Sequence, residues 1–533
     1  MFAVDRRLKL ITLFTMCFAL FMAMLDNTVV NVALPTIQRD FGSGVSGLQW
    51  IISAYTLFFA SLMLTGGTLG DLYGRKRLFL IGLVVFSSGS LLCGLAPSLH
   101  WLVAGRALQG VGAAALLPGT LSILITTFPD PKERAQAIGI WAGVSGLALA
   151  AGPVIGGLLV DTLGWQSVFF INVPIGLIAL LVALRTVKES SNPEGRSLDL
   201  RGQFLAIVSL GALVYALIEA NNYGWTSPLI LTLFAVGVVT QLAFLYVEAH
   251  TPSPMLQLKF FRNPTFAAGS TVAGLISFGM FGIFFFLTLY WQNIQGYSAL
   301  QMGLRVLPLT GAIIVTAPLA GQVAGRIGSR WPMTVGMTIA GTGILLLERI
   351  TPTTPYGALW WNMLMLGVGM GMVMAPMTAA VTSTVPQARA GMASGTTNAT
   401  REVGGVFGIA LLGAIVTHWF SRDLAGSLAR FPLPEAAKSQ IVALASHGGG
   451  TTAASMPASI DPALLHRTID NSFVYGIHVA LGVSAAALLC GAVLSAVFVG
   501  RGSVAREETV ATSLTAEAQP VAAVRGSGEG EVA

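Results

Sequence analysis

The sequence predicts an all-α membrane protein of fourteen transmembrane helices, arranged as two six-helix halves with two further helices between them. Three observations carry this. Only 10% of the 533 residues are charged while 54% are hydrophobic, whereas soluble domains average about 25% charged, so the natural solvent of this surface is lipid. Apolar runs of about 20 residues, the length that crosses the hydrocarbon core, recur along the chain. A glycine-rich motif ending in basic residues occurs twice, eight spans apart.

In order, the predicted spans are Leu10–Leu34, Leu48–Gly70, Leu78–Ala96, Trp101–Ile125, Ile138–Leu159, Val168–Leu184 and Phe204–Ile218. The remaining seven are Leu229–Val247, Phe266–Tyr290, Leu304–Val323, Met333–Leu347, Leu359–Val381, Met392–Val416 and Phe473–Val499. The seventh and eleventh are the shortest. The first follows Arg6, Arg7 and Lys9 and is too long for the apolar core of a signal peptide, so it reads as a retained span.

Net charge is +6. The basic residues stand in short clusters between apolar spans, which argues against nucleic-acid binding and for a topology signal. With the N-terminus inside, most of the 29 Lys and Arg fall on inner segments and the short outer loops are nearly free of them. The positive-inside rule then puts both termini in the cytoplasm. Cys17, Cys93 and Cys490 lie singly within apolar runs, so neither a disulfide framework nor a metal site is expected.

The repeat fixes the larger organisation. Gly67-Thr-Leu-Gly-Asp71-Leu-Tyr-Gly74-Arg75-Lys76 follows the second span, and Gly321-Gln-Val-Ala-Gly325-Arg-Ile-Gly328-Ser-Arg330 follows the tenth. A repeat of six helices interrupted by two explains the eight-span offset. The expected units are residues 1–186, a first half; 187–263, two extra helices with linkers; 264–500, a second half containing an outer loop, 421–471; and 501–533, a disordered tail rich in Ala, Gly, Glu and Val.

Asp26 and Arg106 lie deep in spans one and four. A carboxylate near the bilayer centre costs about 2.5–3.5 kcal/mol, and such residues mark ion or substrate paths. Two readings of Asp26 stand together: a group that binds and releases a proton, or a structural hydrogen-bond partner. Measured from Pro35 and Trp101, Asp26 is about 13 Å and Arg106 about 8–9 Å below the same face, similar enough for communication. Snorkelling to the outer interface is the other reading of Arg106. The loop with Gly67, Asp71, Gly74, Arg75 and Lys76 is expected to form either a breakable charge cluster, serving as a conformational latch, or a plain topology signal.

Span five carries Gly139-x-x-x-Gly143 and Gly152-Pro153-x-x-Gly156-Gly157, which predict close helix contact and a bend. Arg401-Glu402 reads as the inner end of a shortened helix or as a coupling site, and Glu219 as interfacial. Asn27, Asn31, Gln109 and Tyr290 are candidates for a substrate cavity. There is no Walker A sequence, no G-x-S-x-G and no H-E-x-x-H, so neither an enzyme nor an ATP-driven pump is expected. An ion gradient is the remaining energy source, worth about 2.3 kcal/mol per charge per 100 mV.

These motifs resemble the major facilitator superfamily, and within it the fourteen-helix drug:proton antiporters that export multiple drugs, quaternary-ammonium compounds and antibiotics. Gly67–Lys76 is similar to the superfamily's loop 2–3 motif, and Arg106–Gly112 to the arginine motif of helix four. Gly152-Pro153-x-x-Gly156-Gly157 is similar to the helix-five antiporter motif. Leu25-Asp26-x-Thr28-x-Val30-Asn31-Val-Ala-Leu-Pro35 and Gly164-Trp165 through Phe170-x-Asn172-Val-Pro174-x-Gly176 match the fourteen-helix branch. The resemblance implies the major-facilitator fold and a cavity between the halves. It also implies Asp71 docked near the start of span thirteen, proton coupling through Asp26 and Arg106, and no cofactor. The implied partners are protons, the lipid of a bacterial inner membrane and a small hydrophobic drug-like or antibiotic-like substrate. No motif for a periplasmic adaptor is recognisable. A nutrient symporter of the same fold and a non-transporting membrane sensor are the alternatives; the helix-five motif opposes the first, and the lack of a large soluble domain opposes the second.

Overall fold

The computed structural model describes residues 2–192, 197–252, 254–386, 390–446 and 461–500. Among them the chain is helical almost throughout. The first half comprises α1 (Phe2–Phe41), α2 (Val45–Tyr73), α3 (Arg75–Gly94), α4 (Leu99–Thr127), α5 (Pro131–Leu163), a short α6 (Ser167–Phe170) and α7 (Asn172–Thr186). The inserted pair is α8 (Leu200–Tyr223) and α9 (Pro228–His250). The second half comprises α10 (Pro264–Leu289), α11 (Ala299–Arg305), α12 (Leu307–Ile327), α13 (Arg330–Leu345), α14 (Trp360–Thr382), α15 (Ala390–Leu428), α16 (Glu435–Ser446) and α17 (Pro462–Phe498).

Thirteen helical segments among the described residues are long and apolar enough to cross a membrane. The predicted eleventh span is α13, only 16 residues long and finished by a 3-10 turn at Leu346–Arg349, which leaves it just short of that length. Helices run beyond their apolar cores because backbone hydrogen bonding continues where the hydrocarbon ends. Local caps then set the ends. Asp130 accepts the N–H groups of Lys132 and Glu133 at the start of α5, and Asn263 those of Thr265 and Phe266 at the start of α10.

The repeated motif has a common physical basis in its two copies. Gly74 and Gly328 each join consecutive helices at positive φ, 113° and 86°, a region open to glycine. Their partners Gly67 and Gly321 face helices two further on, at Pro118 of α4 and Ala375 of α14. We call the end of the bundle that bears these motifs the basic face, and the other end the opposite face.

The inserted pair lies along the seam where α2 and α15 meet. Gln203 of α8 donates to the Ser61 carbonyl of α2 at 3.0 Å. Trp50 donates to Glu219 at 2.8 Å, and Asn221 donates to the Ala414 carbonyl of α15 at 2.9 Å. Thus α8 touches both halves. By contrast, only 17% of the most apolar window of α9 is buried, so lipid covers most of this helix.

The expected outer loop 421–471 is corrected by the structure. α15 continues to Leu428, α16 fills Glu435–Ser446 and α17 begins at Pro462. Phe420, Leu424 and Leu428 recur every four residues and form a small apolar cluster with Leu433, Ile441 and Leu465. Residues 447–460 of that segment and the predicted tail, 501–533, lie outside the described residues.

Candidate functional site

Asp26 and Arg106 meet. An Arg106 guanidinium nitrogen lies 2.6 Å from Asp26 Oδ2, with both side chains at most 1% exposed. The Arg106 Nε donates to the Ile51 carbonyl at 3.0 Å, and its guanidinium stacks 4.3 Å from the centre of the Tyr55 ring. On the other carboxylate oxygen, Asp26 Oδ1 accepts from Gln109 Nε2 at 3.1 Å and from Asn172 Nδ2 at 2.7 Å. Ser90 Oγ then accepts from Gln109 at 2.6 Å and from Asn172 at 3.3 Å. Helices α1, α2, α3, α4 and α7 therefore converge on one buried charge pair. An ionised carboxylate is acceptor-only, and three N–H donors satisfy this one. Snorkelling is excluded for Arg106, which points inward.

Two of the cavity candidates are buried and hydrogen-bonded in this structure. Gln109 is fully buried and belongs to the Asp26 cradle, three residues and one helical turn from Arg106. Tyr290 is also fully buried, its hydroxyl donating to the Thr351 carbonyl at 2.6 Å and accepting from Gln295. Asn31 is 3% exposed and donates to the Asn27 carbonyl at 3.0 Å, while the Asn27 Oδ1 atom is buried without a partner. Cradle members that sequence reasoning missed are Ser90 and Asn172. The second sits inside the Phe170–Gly176 motif, which is the signal that could have found it.

The loop after α2 is bonded to α3, to the end of α7 and to the linker that follows it. Arg75 pairs with Asp71 at 2.7 Å, and Lys76 Nζ donates to the Leu184 carbonyl at 2.8 Å. Glu189, in the linker after α7, accepts the backbone N–H groups of Lys76 and Arg77 and so caps α3. A Cβ on Gly74 would lie 2.8 Å from the Glu189 carboxylate, on a backbone with φ of 113°. Gly74→Ala is therefore expected to destabilise the protein by about 1–3 kcal/mol, read as a lower thermal midpoint. An unchanged midpoint would remove this account of the glycine. The expected docking of Asp71 at the start of span thirteen falls at residues 387–391, where residues or side chains are outside those described.

On α5 the two glycine motifs differ. Gly152 packs on Thr28, Gly156 on Val29 of α1, and Gly157 directly on the Leu300 and Ala299 backbone of α11. Gly303 of α11 packs in return on the Pro153 carbonyl. Among the described residues nothing lies close to Gly139 or Gly143, so the close contact expected there is not seen. Near the opposite face Asp161 accepts the N–H groups of Ala299 and Leu300 at 3.2 and 3.0 Å. Gln49 donates to the Ile409 carbonyl at 2.6 Å, and Gln292 to that of Val32 at 2.9 Å. These bonds tie one half to the other and shut the seam between them at that face.

Arg401 and Glu402 sit well inside the unbroken α15, which corrects the reading of a helix end. Arg401 Nε and Glu402 Oε2 are buried without partners among the described residues. Tyr55 is within electrostatic reach of both Asp26 and Glu402. Glu219 bonds Trp50 and Asn222 at the inserted pair.

A charge pair sealed among thirteen helical segments long and apolar enough to cross a membrane, counted among the described residues, fits a multi-span membrane protein. The chain belongs to the Major Facilitator Superfamily, whose model matches residues 16–409. It is 37% identical over 494 residues to the Multidrug resistance protein Stp of Mycobacterium tuberculosis, covering 90% of each chain. It is 34% identical to the Tetracenomycin C resistance and export protein of Streptomyces glaucescens, covering 91% of this chain and 90% of that one. In fold it matches a bacterial homologue of the human lysosomal transporter Spinster, solved inward-facing and unoccupied. That match has a TM-score of 0.64 and 18% identity, covering 92% of this chain and 96% of the other.

Proposed function

We propose that this chain expels hydrophobic drug-like or antibiotic-like compounds across a bacterial inner membrane, driven by protons and working by alternating access. The termini are cytoplasmic, so the basic face looks inward. Relatives named for drug resistance and export support the efflux reading. The observation that carries the proton reading is the Arg106–Asp26 pair, a titratable charge held at 2.6 Å inside the spanning bundle.

In the proposed cycle a proton from outside reaches Asp26 and weakens its hold on Arg106. The seam at the opposite face closes through Asp161 and the α5 glycines, and the carrier faces inward. Substrate enters, the proton leaves to the cytoplasm, and the halves rock to release substrate outside. Asp71, Arg75 and Lys76 act as a latch at the basic face. One proton per cycle under a typical potential supplies about 2–3 kcal/mol, enough for a useful gradient of drug.

Inverted vesicles loaded with the protein test this reading. With an imposed proton gradient, a lipophilic fluorescent dye should accumulate, and collapsing the gradient with an uncoupler should release it. Equal accumulation with and without the gradient would reject proton drive.

A further inference from the structure

One of the three side chains that donate to Asp26 keeps an atom without a partner among the described residues. Asn172 is fully buried, its Nδ2 serves Asp26 and Ser90, and its Oδ1 is buried with no donor among the described residues. A buried orphan acceptor is uncommon and calls for a reason.

The reason emerges when a proton is added to Asp26. Oδ2 faces the Arg106 guanidinium, which carries only donors. A new O–H on Oδ1 meets the two N–H groups that already point there, and one of them has to turn away. Gln109 cannot turn cheaply. Its Oε1 accepts from Arg106 at 2.8 Å and its Nε2 bonds Ser90 at 2.6 Å, so both ends are pinned. Asn172 has a free oxygen. A half-turn of its amide brings Oδ1 to where Nδ2 stood, facing Asp26 Oδ1 and Ser90. The carboxylic O–H can then donate to it, and Ser90, a rotor that donates or accepts, can donate as well. The other titratable or charged groups around the pair are Arg106, Tyr55 and Cys93, with Glu402 beyond Tyr55. Among the hydrogen-bonded neighbours of Asp26, only Asn172 has an idle acceptor.

We propose that Asn172 is the positioning residue of proton coupling: an amide pivot that donates to ionised Asp26 and turns to accept from protonated Asp26, with Ser90 following. This rests on the proton reading of Asp26 given above.

Infrared difference spectra between alkaline and acid buffer test it, on the full chain in lipid nanodiscs with isotope-labelled asparagine. A protonated-carboxyl band that Asp26→Asn removes identifies Asp26. The pivot predicts an asparagine side-chain carbonyl band that shifts in step with it and disappears in Asn172→Ala. Gradient-driven efflux in Asn172→Ala should fall about tenfold, the worth of one hydrogen bond to a charged group, while substrate binding and energy-independent exchange hold. Asn172→Ser, which restores a donor–acceptor rotor, should recover part of the loss. An Asp26 band with no asparagine response overturns the pivot and leaves the proton reading intact. Absence of any Asp26 band overturns both. If Asn172→Ala does not insert, the wild-type spectra decide alone.

Discussion

Asp26→Leu is expected to lower stability by about 3–5 kcal/mol and to abolish proton-driven efflux, because it strands a guanidinium that is 1% exposed. Arg106→Met should cost a similar amount by stranding the carboxylate. The double variant Asp26→Leu/Arg106→Met should be more stable than either single one, since replacing both members of a buried pair by apolar side chains removes the desolvation cost along with the attraction. Efflux should stay absent in the double variant. Thermal midpoints in detergent and dye efflux in vesicles measure the two quantities on the same samples. Asp26→Asn, which keeps the shape and some of the bonds, should fold well and still lose gradient-driven transport. If the stable double variant pumps against a gradient, the pair is structural and the proton runs elsewhere.

Much of this site is legible in the amino-acid sequence, and the parts that are not share a cause. Depth along a helix follows from residue count, so counting from Pro35 and Trp101 brings Asp26 and Arg106 to within about 5 Å of each other in depth. Azimuth around a helix is harder to read in an apolar span, where every face is hydrophobic. Gln109 shows this. Its spacing of three from Arg106 puts both on one face, yet that face could line a cavity or a cradle, and the packing of α3 and α7 decides for the cradle. Ser90 and Asn172 reach Asp26 from distant helices, and no spacing rule joins them. The glycines of α5 split for the same reason: Gly157 meets α11, while Gly139 meets open space, although both stand in small-residue patterns. The outer segment reads as a loop because composition masks period. Phe420, Leu424 and Leu428 keep a helical rhythm inside a stretch rich in small residues.

The seam at the opposite face supplies the second large effect. Gly157 and Gly303 have no room for a side chain, because a Cβ on Gly157 would lie 2.5 Å from the Leu300 Cα and one on Gly303 would run into the Pro153 carbonyl. These are backbone atoms of the other half, which cannot step aside as a flexible side chain can. Overpacking of this kind costs about 1–3 kcal/mol per site. The seam is shut in this structure, so the cost is expected to fall on this state, and each 1.4 kcal/mol changes a population tenfold. Gly157→Val with Gly303→Val should therefore shift the carrier by at least about tenfold toward the state open at that face. Spin-label distances between α5 and α11 should lengthen, and efflux should fall because the state shut at that face is seldom visited. Gly211→Ala on α8, where the site is open, should leave both readings unchanged. Asp161→Ala acts on the same seam by removing the acceptor for Ala299 and Leu300, and should shift the distances in the same direction by less. Distances unchanged in the double glycine variant would mean that the antiporter motif packs α5 without governing which face is open.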